Sequence, residues 1–378
     1  KIVKYLGWSG FGLGAFGTIG SLVVTGNYQA ALVSGLLTIA ATFLAIAYKL
    51  VSGVTNRVLD KIEERLEKSE ERLADKIVDG VDNFFVGLWW KLTSRFQGKY
   101  YKNLVYIYRT YQTQGLKTPG AVTPDLEKVF VALRVASESP ALISSRIIQK
   151  QNSDGNLRIW DFLAEAKKRP VYKHIVVIGA PGSGKTTLLK YLALTYAQQK
   201  QRRQHRKAPK LVPVLLYLHK IREQIISENP PNLATIIGDE LKNQEPELKL
   251  EPPPHWFEEK LNQGKCLVML DGLDEVADEN QRHQVSRWVD TQMRAYPKTF
   301  FILTSRPFGY QNAELENVGI VLGVQNFNLQ QMEKFIYNWY LQNELIRQPR
   351  KEDPGVRADA QRKANDLITR IKNYPPFA

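Results

Sequence analysis

The run GAPGSGKTT at residues 179–187 constrains this chain more than any other feature. It fits G-x-x-x-x-G-K-[ST], with Gly179, Gly182, Gly184, Lys185 and Thr186 as its marked positions and Ala180, Pro181, Ser183 and Thr187 completing the loop. Glycines let backbone N–H groups turn inward and approach an anion with no side chain in the way. A lysine can then reach outer phosphate oxygens, and the Thr186 hydroxyl can ligate Mg²⁺. Before the loop, HIVVIG (His174–Gly179) is apolar and β-branched, the pattern of a buried parallel strand. After it, TTLLKYLALTYAQQ reads as a helix whose N-terminus adds its dipole to the anion site. Strand, glycine turn and helix in that order predict an α/β fold with a buried parallel strand.

A phosphate cradle needs acid opposite it. CLVML (Cys266–Leu270) predicts a second buried strand, with Asp271 at its C-terminal end, where open α/β sheets place their ligands. Asp271 is the candidate carboxylate for Mg²⁺, together with Thr186. Gly272 permits a sharp turn, and Asp274 and Glu275 follow as candidates to orient or deprotonate an attacking water. The competing role for either is a helix cap or a solvated carboxylate. A third apolar run, FFILTSRP (Phe300–Pro307), ends at Arg306, a candidate to stabilise γ-phosphate charge, with a plain surface ion pair as the alternative.

The N-terminal region has another character. No charged residue occurs from Tyr5 to Tyr48. Two apolar runs, WSGFGLGAFGTIGSLVVT and AALVSGLLTIAATFLAIAY, flank GNYQ, and each is close to the roughly 20 residues that cross a hydrocarbon core as a helix. They predict a transmembrane helical hairpin over residues 1–51 that meets the lipid bilayer through residues 8–48. Lys1, Lys4, Lys49, Arg57 and Lys61 flank it, so the positive-inside tendency puts both ends in the cytoplasm. Small residues recur at Gly7, Gly10, Gly14, Gly17 and Ser21, and again at Ala31, Ser34, Thr38, Ala41 and Ala45. Such stripes allow close helix packing, within the hairpin or between protomers. AIA at Ala45–Ala47 resembles a signal-cleavage box, but the apolar region is too long and a turn interrupts it.

Residues 52–97 then predict an amphipathic helical stalk or effector-like region, with Val58, Ile62, Leu66, Leu73, Ile77 and Val81 on one face. Residues 98–160 predict a helical segment, a Gly/Pro loop and a β-prone run, KVFVALRV. The net charge of +14 allows an anionic partner. Aromatic and basic residues alternate in YYKNLVYIYRTYQ, yet no nucleic-acid motif accompanies them, and nucleic acid is not an expected partner. The basic run KQRRQHRKAPK predicts a solvated helix end and loop. A single cysteine, Cys266, excludes internal disulfides and cysteine-rich metal sites.

The order GAPGSGKTT, PVLLYL, LVMLDGLDEV, LTSRP resembles the NACHT NTPases, a branch of the STAND signalling ATPases, over roughly Leu126 to Tyr340. The resemblance implies a NACHT domain over 161–345, a P-loop NTPase α/β fold with a parallel sheet and helices on both faces, whose Arg306-bearing strand lies between the phosphate-loop strand and the acidic strand. It implies that Asp271 binds Mg²⁺, that Asp274 and Glu275 serve hydrolysis, and that Arg306 is the sensor arginine. It further implies ATP/ADP as cofactor, a homo-oligomer on activation, and an output in bacterial antiviral defence. Lacking an NKxD-type guanine motif, the chain is expected to prefer ATP. Residues 346–378 would begin a following helical domain, and a trigger-sensing region is expected beyond Ala378. The expected location is a membrane, crossed twice, with the NTPase in the cytoplasm. Two rival classes are a constitutive energy-coupled ATPase of a membrane complex, against which the absence of LSGGQ speaks, and a nucleotide-binding scaffold without turnover.

Overall fold

The structure, a computed structural model, describes residues 96–111, 123–137, 157–244, 248–347 and 353–373. The chain divides into two units, Lys1–Phe85 and Val86–Ala378, and every described residue belongs to the second. The hairpin expected over 1–51, its lipid contact over 8–48 and nearly all of the stalk expected over 52–97 lie outside the described residues. Among the described residues no helix is long and apolar enough to cross a membrane.

In chain order the elements are α1 (Phe96–Tyr108), α2 (Leu126–Val129), β1 (Val135–Ser137), α3 (Ile159–Glu165), β2 (His174–Ile178), α4 (Lys185–Ala197), α5 (Gln201–Gln204) and β3 (Val212–Tyr217). There follow α6 (Leu218–Ile225), α7 (Leu233–Lys242), α8 (Trp256–Asn262), β4 (Cys266–Asp271), α9 (Glu279–Ala295), β5 (Phe300–Ser305), α10 (Pro307–Gln311), β6 (Ile320–Val324), α11 (Leu329–Arg347) and α12 (Pro354–Lys372). Short 3₁₀ turns at Pro170–Lys173 and Leu273–Glu275 enter β2 and leave β4.

The strands form one sheet in the order β1-β6-β2-β5-β4-β3. Five of them run parallel. Every residue of β4 and β5 is buried, so both faces of the central strands are covered, which explains their unbroken apolar sequence. As the family resemblance implies, β5 lies between the phosphate-loop strand β2 and the acidic strand β4. α4 packs on β3 and β4 with Leu188, Leu189, Leu192 and Leu194 buried, a helix apolar nearly all round because sheet and flanking helices enclose it.

The sheet is not wholly parallel, and KVFVALRV is not a strand throughout. β1 joins β6 antiparallel, with Val135 opposite Val324. Val129, Val131, Leu133 and Val135 are buried in alternation, so the period-two pattern is real. Residues 126–129 nevertheless form a helical turn, and the extended chain finds its ladder partner only at Val135, where β6 ends. The basic run holds the short helix α5, with Gln201 buried and Arg202 and Arg203 exposed. α12 closes against α11 through Ile336, Ala364 and Ile368, with Phe335 and Tyr340 packed on the cluster.

Candidate active site

The phosphate loop leaves the C-terminal end of β2 and enters α4 at Lys185. Two of its residues adopt left-handed backbone, Gly182 at φ 74° and Gly184 at φ 88°, which glycine alone takes without strain. Gly179 is needed for space: a Cβ there would lie 2.6 Å from Ser183 Oγ and 3.1 Å from Val324 Cβ. The Lys185 ammonium donates to the carbonyls of Gly179 at 2.7 Å and Ala180 at 3.0 Å, tying the loop's entry to its exit. Burial pulls its pKa below the ordinary lysine range, and Asp274 is the carboxylate that most opposes that pull. Ser183 Oγ is buried without a hydrogen-bond partner, a polar group inside the loop for which a phosphate oxygen is a fitting acceptor.

Asp271 ends β4 and is 3% exposed. Its neighbour across the sheet is Thr304 on β5, whose hydroxyl donates to Asp271 Oδ1 and accepts the Gly272 N–H at 3.0 Å. One hydroxyl therefore fixes both the carboxylate and the turn that follows it. Gly272, at φ 78°, makes that turn possible, and a Cβ on it would meet Glu275 Cδ at 2.8 Å.

The two acidic residues beyond the turn have different surroundings. Asp274 is clasped by Arg306, whose N–H donates to Oδ1 at 2.9 Å and whose Nε lies 2.9 Å from Oδ2. The Asp274 side chain is only 12% exposed, and Gly309 sits so close that an added Cβ would be 2.5 Å from Asp274 Cβ. Glu275 is 45% exposed and stands 2.7 Å from His219 Nδ1 at the start of α6, without the alignment of a hydrogen bond.

One cavity of about 250 Å³ reaches from Gly182, Lys185, Thr186 and Thr187 to Asp271, Asp274, Glu275, Thr304 and Arg306. Ala180 borders an adjoining cavity of about 420 Å³, formed by Tyr111, Phe130, Leu133, Phe327 and Phe335 against Pro181–Gly184. An apolar, aromatic recess continuous with an anion cradle suits a nucleobase joined to a phosphate chain. The sequence-predicted residues Gly179–Thr187, Asp271, Asp274, Glu275 and Arg306 thus meet in one place. Among the described residues no group of three or more His, Cys, Asp or Glu gathers as a metal site. One hydroxyl, Thr186, and one carboxylate, Asp271, make the sparse oxygen set of a Mg²⁺ that takes its remaining ligands from phosphates and water.

Residues 173–343 match the family model of the NACHT domain. The chain carries a NACHT domain. The match spans β2 through most of α11 and so contains the phosphate loop, the acidic turn and Arg306. The NACHT domain is a P-loop NTPase module, and the parallel core of the sheet agrees with that class. No curated protein matches the sequence significantly. Among solved structures, the chain is similar to C. elegans PCH-2 at 14% identity, covering 59% of this chain and 52% of that one, with a TM-score of 0.30. Thermotoga maritima RuvB is similar at 15% identity, covering 61% of this chain and 62% of that one, with a TM-score of 0.28. DnaA bound to AMPPCP and single-stranded DNA is similar at 14% identity over 56% of this chain and 60% of that one, with a TM-score of 0.26. The chain spans less than two thirds of the length of each.

Sequence reasoning missed Thr304, His219, Tyr111 and Lys190, all of which border the phosphate cavity or touch its acids. Only Thr304 left a signal, the first of two hydroxyls that close an otherwise apolar strand.

Proposed function

We propose that the NACHT domain binds ATP with Mg²⁺ and hydrolyses it to ADP and orthophosphate. What carries this reading is the single cavity on which the glycine loop, Lys185, Thr186 and the buried Asp271 converge. The loop amides, the α4 N-terminus and Lys185 bind the β- and γ-phosphates. Thr186 and Asp271 hold Mg²⁺, which when bound neutralises developing phosphate charge. The neighbouring aromatic recess takes the base, and the absence of a guanine motif favours adenine.

Asp274 and Glu275 divide the remaining work. Both Asp274 oxygens engage Arg306, so Asp274 holds the arginine in place, and the guanidinium faces the transferring phosphoryl group. Glu275, partly exposed and bound only loosely by His219, receives the proton of the attacking water. The water oxygen bonds to the γ-phosphorus, the bond from that phosphorus to the bridging oxygen breaks, and ADP departs with the electron pair.

The test measures nucleotide affinity and turnover in the full chain. Lys185→Ala should weaken ATP and ADP binding at least roughly tenfold, the loss of one charge-assisted contact. Glu275→Gln should bind ATP normally while turnover falls about 100-fold or more. Tight nucleotide retention by Lys185→Ala, or unchanged turnover in Glu275→Gln, overturns the assignment.

We infer further that this turnover drives an oligomerisation switch, anchored at a membrane by residues 1–51, with the NTPase on the cytoplasmic side and an output in defence. Support comes from the uncharged Tyr5–Tyr48 stretch and the small-residue stripes within it. Vesicle flotation should fail on deletion of 1–51, and native mass should rise with ATP but not with ADP. An unchanged mass in both nucleotides sinks the switch.

A further inference from the structure

A third cavity, of about 380 Å³, shares Thr186, Lys190, Asp271 and Glu275 with the phosphate cavity and continues away from the glycine loop. Its other walls are Tyr108, from α1, and Tyr217, His219 and Lys220, from the β3–α6 junction. The Tyr108 and Tyr217 phenols share a hydrogen bond, and Lys220 Nζ stands 5.2 Å from the centre of the Tyr217 ring. Lys190 is half-buried, and its ammonium has no hydrogen-bond or ion-pair partner among the described residues. Burial lowers its pKa, Asp271 opposes that shift and Lys220 adds to it, and both amines line this cavity. A half-buried ammonium without a hydrogen-bond partner is costly, and a tetrahedral oxyanion between Lys190 and the exposed Lys220 would relieve that cost.

We propose that this cavity is the transit site for orthophosphate, taking the cleaved γ-phosphate from the active site while ADP still fills the glycine loop. This inference rests on the hydrolytic reading above. The loop side of the phosphate cavity is closed by the nucleotide that remains, whereas the His219 and Glu275 side chains at the far wall are 38% and 45% exposed and open the third cavity to water. Lys190 borders both spaces and accompanies the anion across; Lys220 and the tyrosine hydroxyls receive it.

The test uses the full chain loaded with ADP and Mg²⁺, titrated with inorganic phosphate in a calorimeter. One phosphate should bind beside ADP. Lys220→Ala, altered at an exposed residue outside the glycine loop, should weaken it roughly tenfold, the loss of one charge-assisted contact, and Lys220→Arg should restore it. ADP affinity should be the same in all three proteins. Phosphate that binds only by displacing ADP, or that binds wild type and Lys220→Ala equally with or without ADP, overturns the transit site. Loss of ADP binding or of ATP cleavage in wild type counts instead against the nucleotide reading, so the two failures are told apart.

Discussion

Thr304 does more for the site than its modest side chain suggests. Its hydroxyl is fully buried, donates to Asp271 and accepts from Gly272, so it sets the direction of one carboxylate and the start of the acidic turn together. Thr304→Val keeps the shape but leaves a buried N–H and a buried carboxylate oxygen each short of a partner, at a cost of about 1–3 kcal/mol in stability. Catalysis should suffer more than binding. Turnover is expected to fall at least roughly tenfold while ADP affinity measured without Mg²⁺ stays near wild type, because the glycine loop is untouched. Thr304→Ser should recover most of both. If Thr304→Val turns over like wild type, Asp271 is not held through this hydroxyl. The sequence could not reveal this contact. Asp271 and Thr304 are distant in the chain, and only the sheet order that seats β5 beside β4 brings them together. The same holds for Arg306 on Asp274 and His219 on Glu275, whose residue types were legible as candidates or not at all, while their pairings are tertiary facts.

Strands β2, β4 and β5 were readable because each is a run of apolar residues covered on both faces, and the glycine loop because its backbone demands leave few choices of residue. β1 was legible only in part: KVFVALRV carries the period-two pattern, yet only its last residue, Val135, enters the ladder, because the partner strand β6 lies far along the chain. Two glycines test how local packing decides between such elements. Gly319 precedes β6 and donates its N–H to the His174 carbonyl, while a Cβ on it would fall 1.6 Å from the Val171 carbonyl oxygen in the 3₁₀ turn. No side chain can move aside there, so the backbone of one element must shift. Gly319→Ala should destabilise by roughly 3 kcal/mol, a fall of about 6–12 °C in Tm. Gly98, within α1, has nothing within 4 Å of an added Cβ. Gly98→Ala should therefore stabilise, by about 0.5–1 kcal/mol, because alanine loses less backbone entropy in a helix. Thermal melts of the two variants should move in opposite directions; a common direction would mean that the β6 entrance is not packed as described.

The buried sheet also fixes how the whole domain responds to alkali. Cys266, the single cysteine, opens β4 with no exposed surface, and burial pushes its thiol from an ordinary value of 9.0 up to about 12. In the folded chain the thiol stays neutral where the unfolded chain has already released its proton. Its contribution is therefore complete below pH 9.0 and is lost as pH rises toward 12, at about 1.4 kcal/mol per pH unit. Tyr100 and Tyr196, also raised by burial, join in the same direction above their ordinary value of 10.0. Cys266→Ala removes the first contribution and leaves the tyrosines. It should begin less stable, through the lost buried sulfur, yet lose about 2 kcal/mol less than wild type between pH 8 and 10.5, as read from urea midpoints. The thiol supplies its own check, because an aromatic disulfide reagent should label native protein only as fast as the sheet opens. Parallel losses in the two proteins, together with immediate labelling of native chains at pH 8, would mean that Cys266 is open to water and that β4 is not covered on both faces.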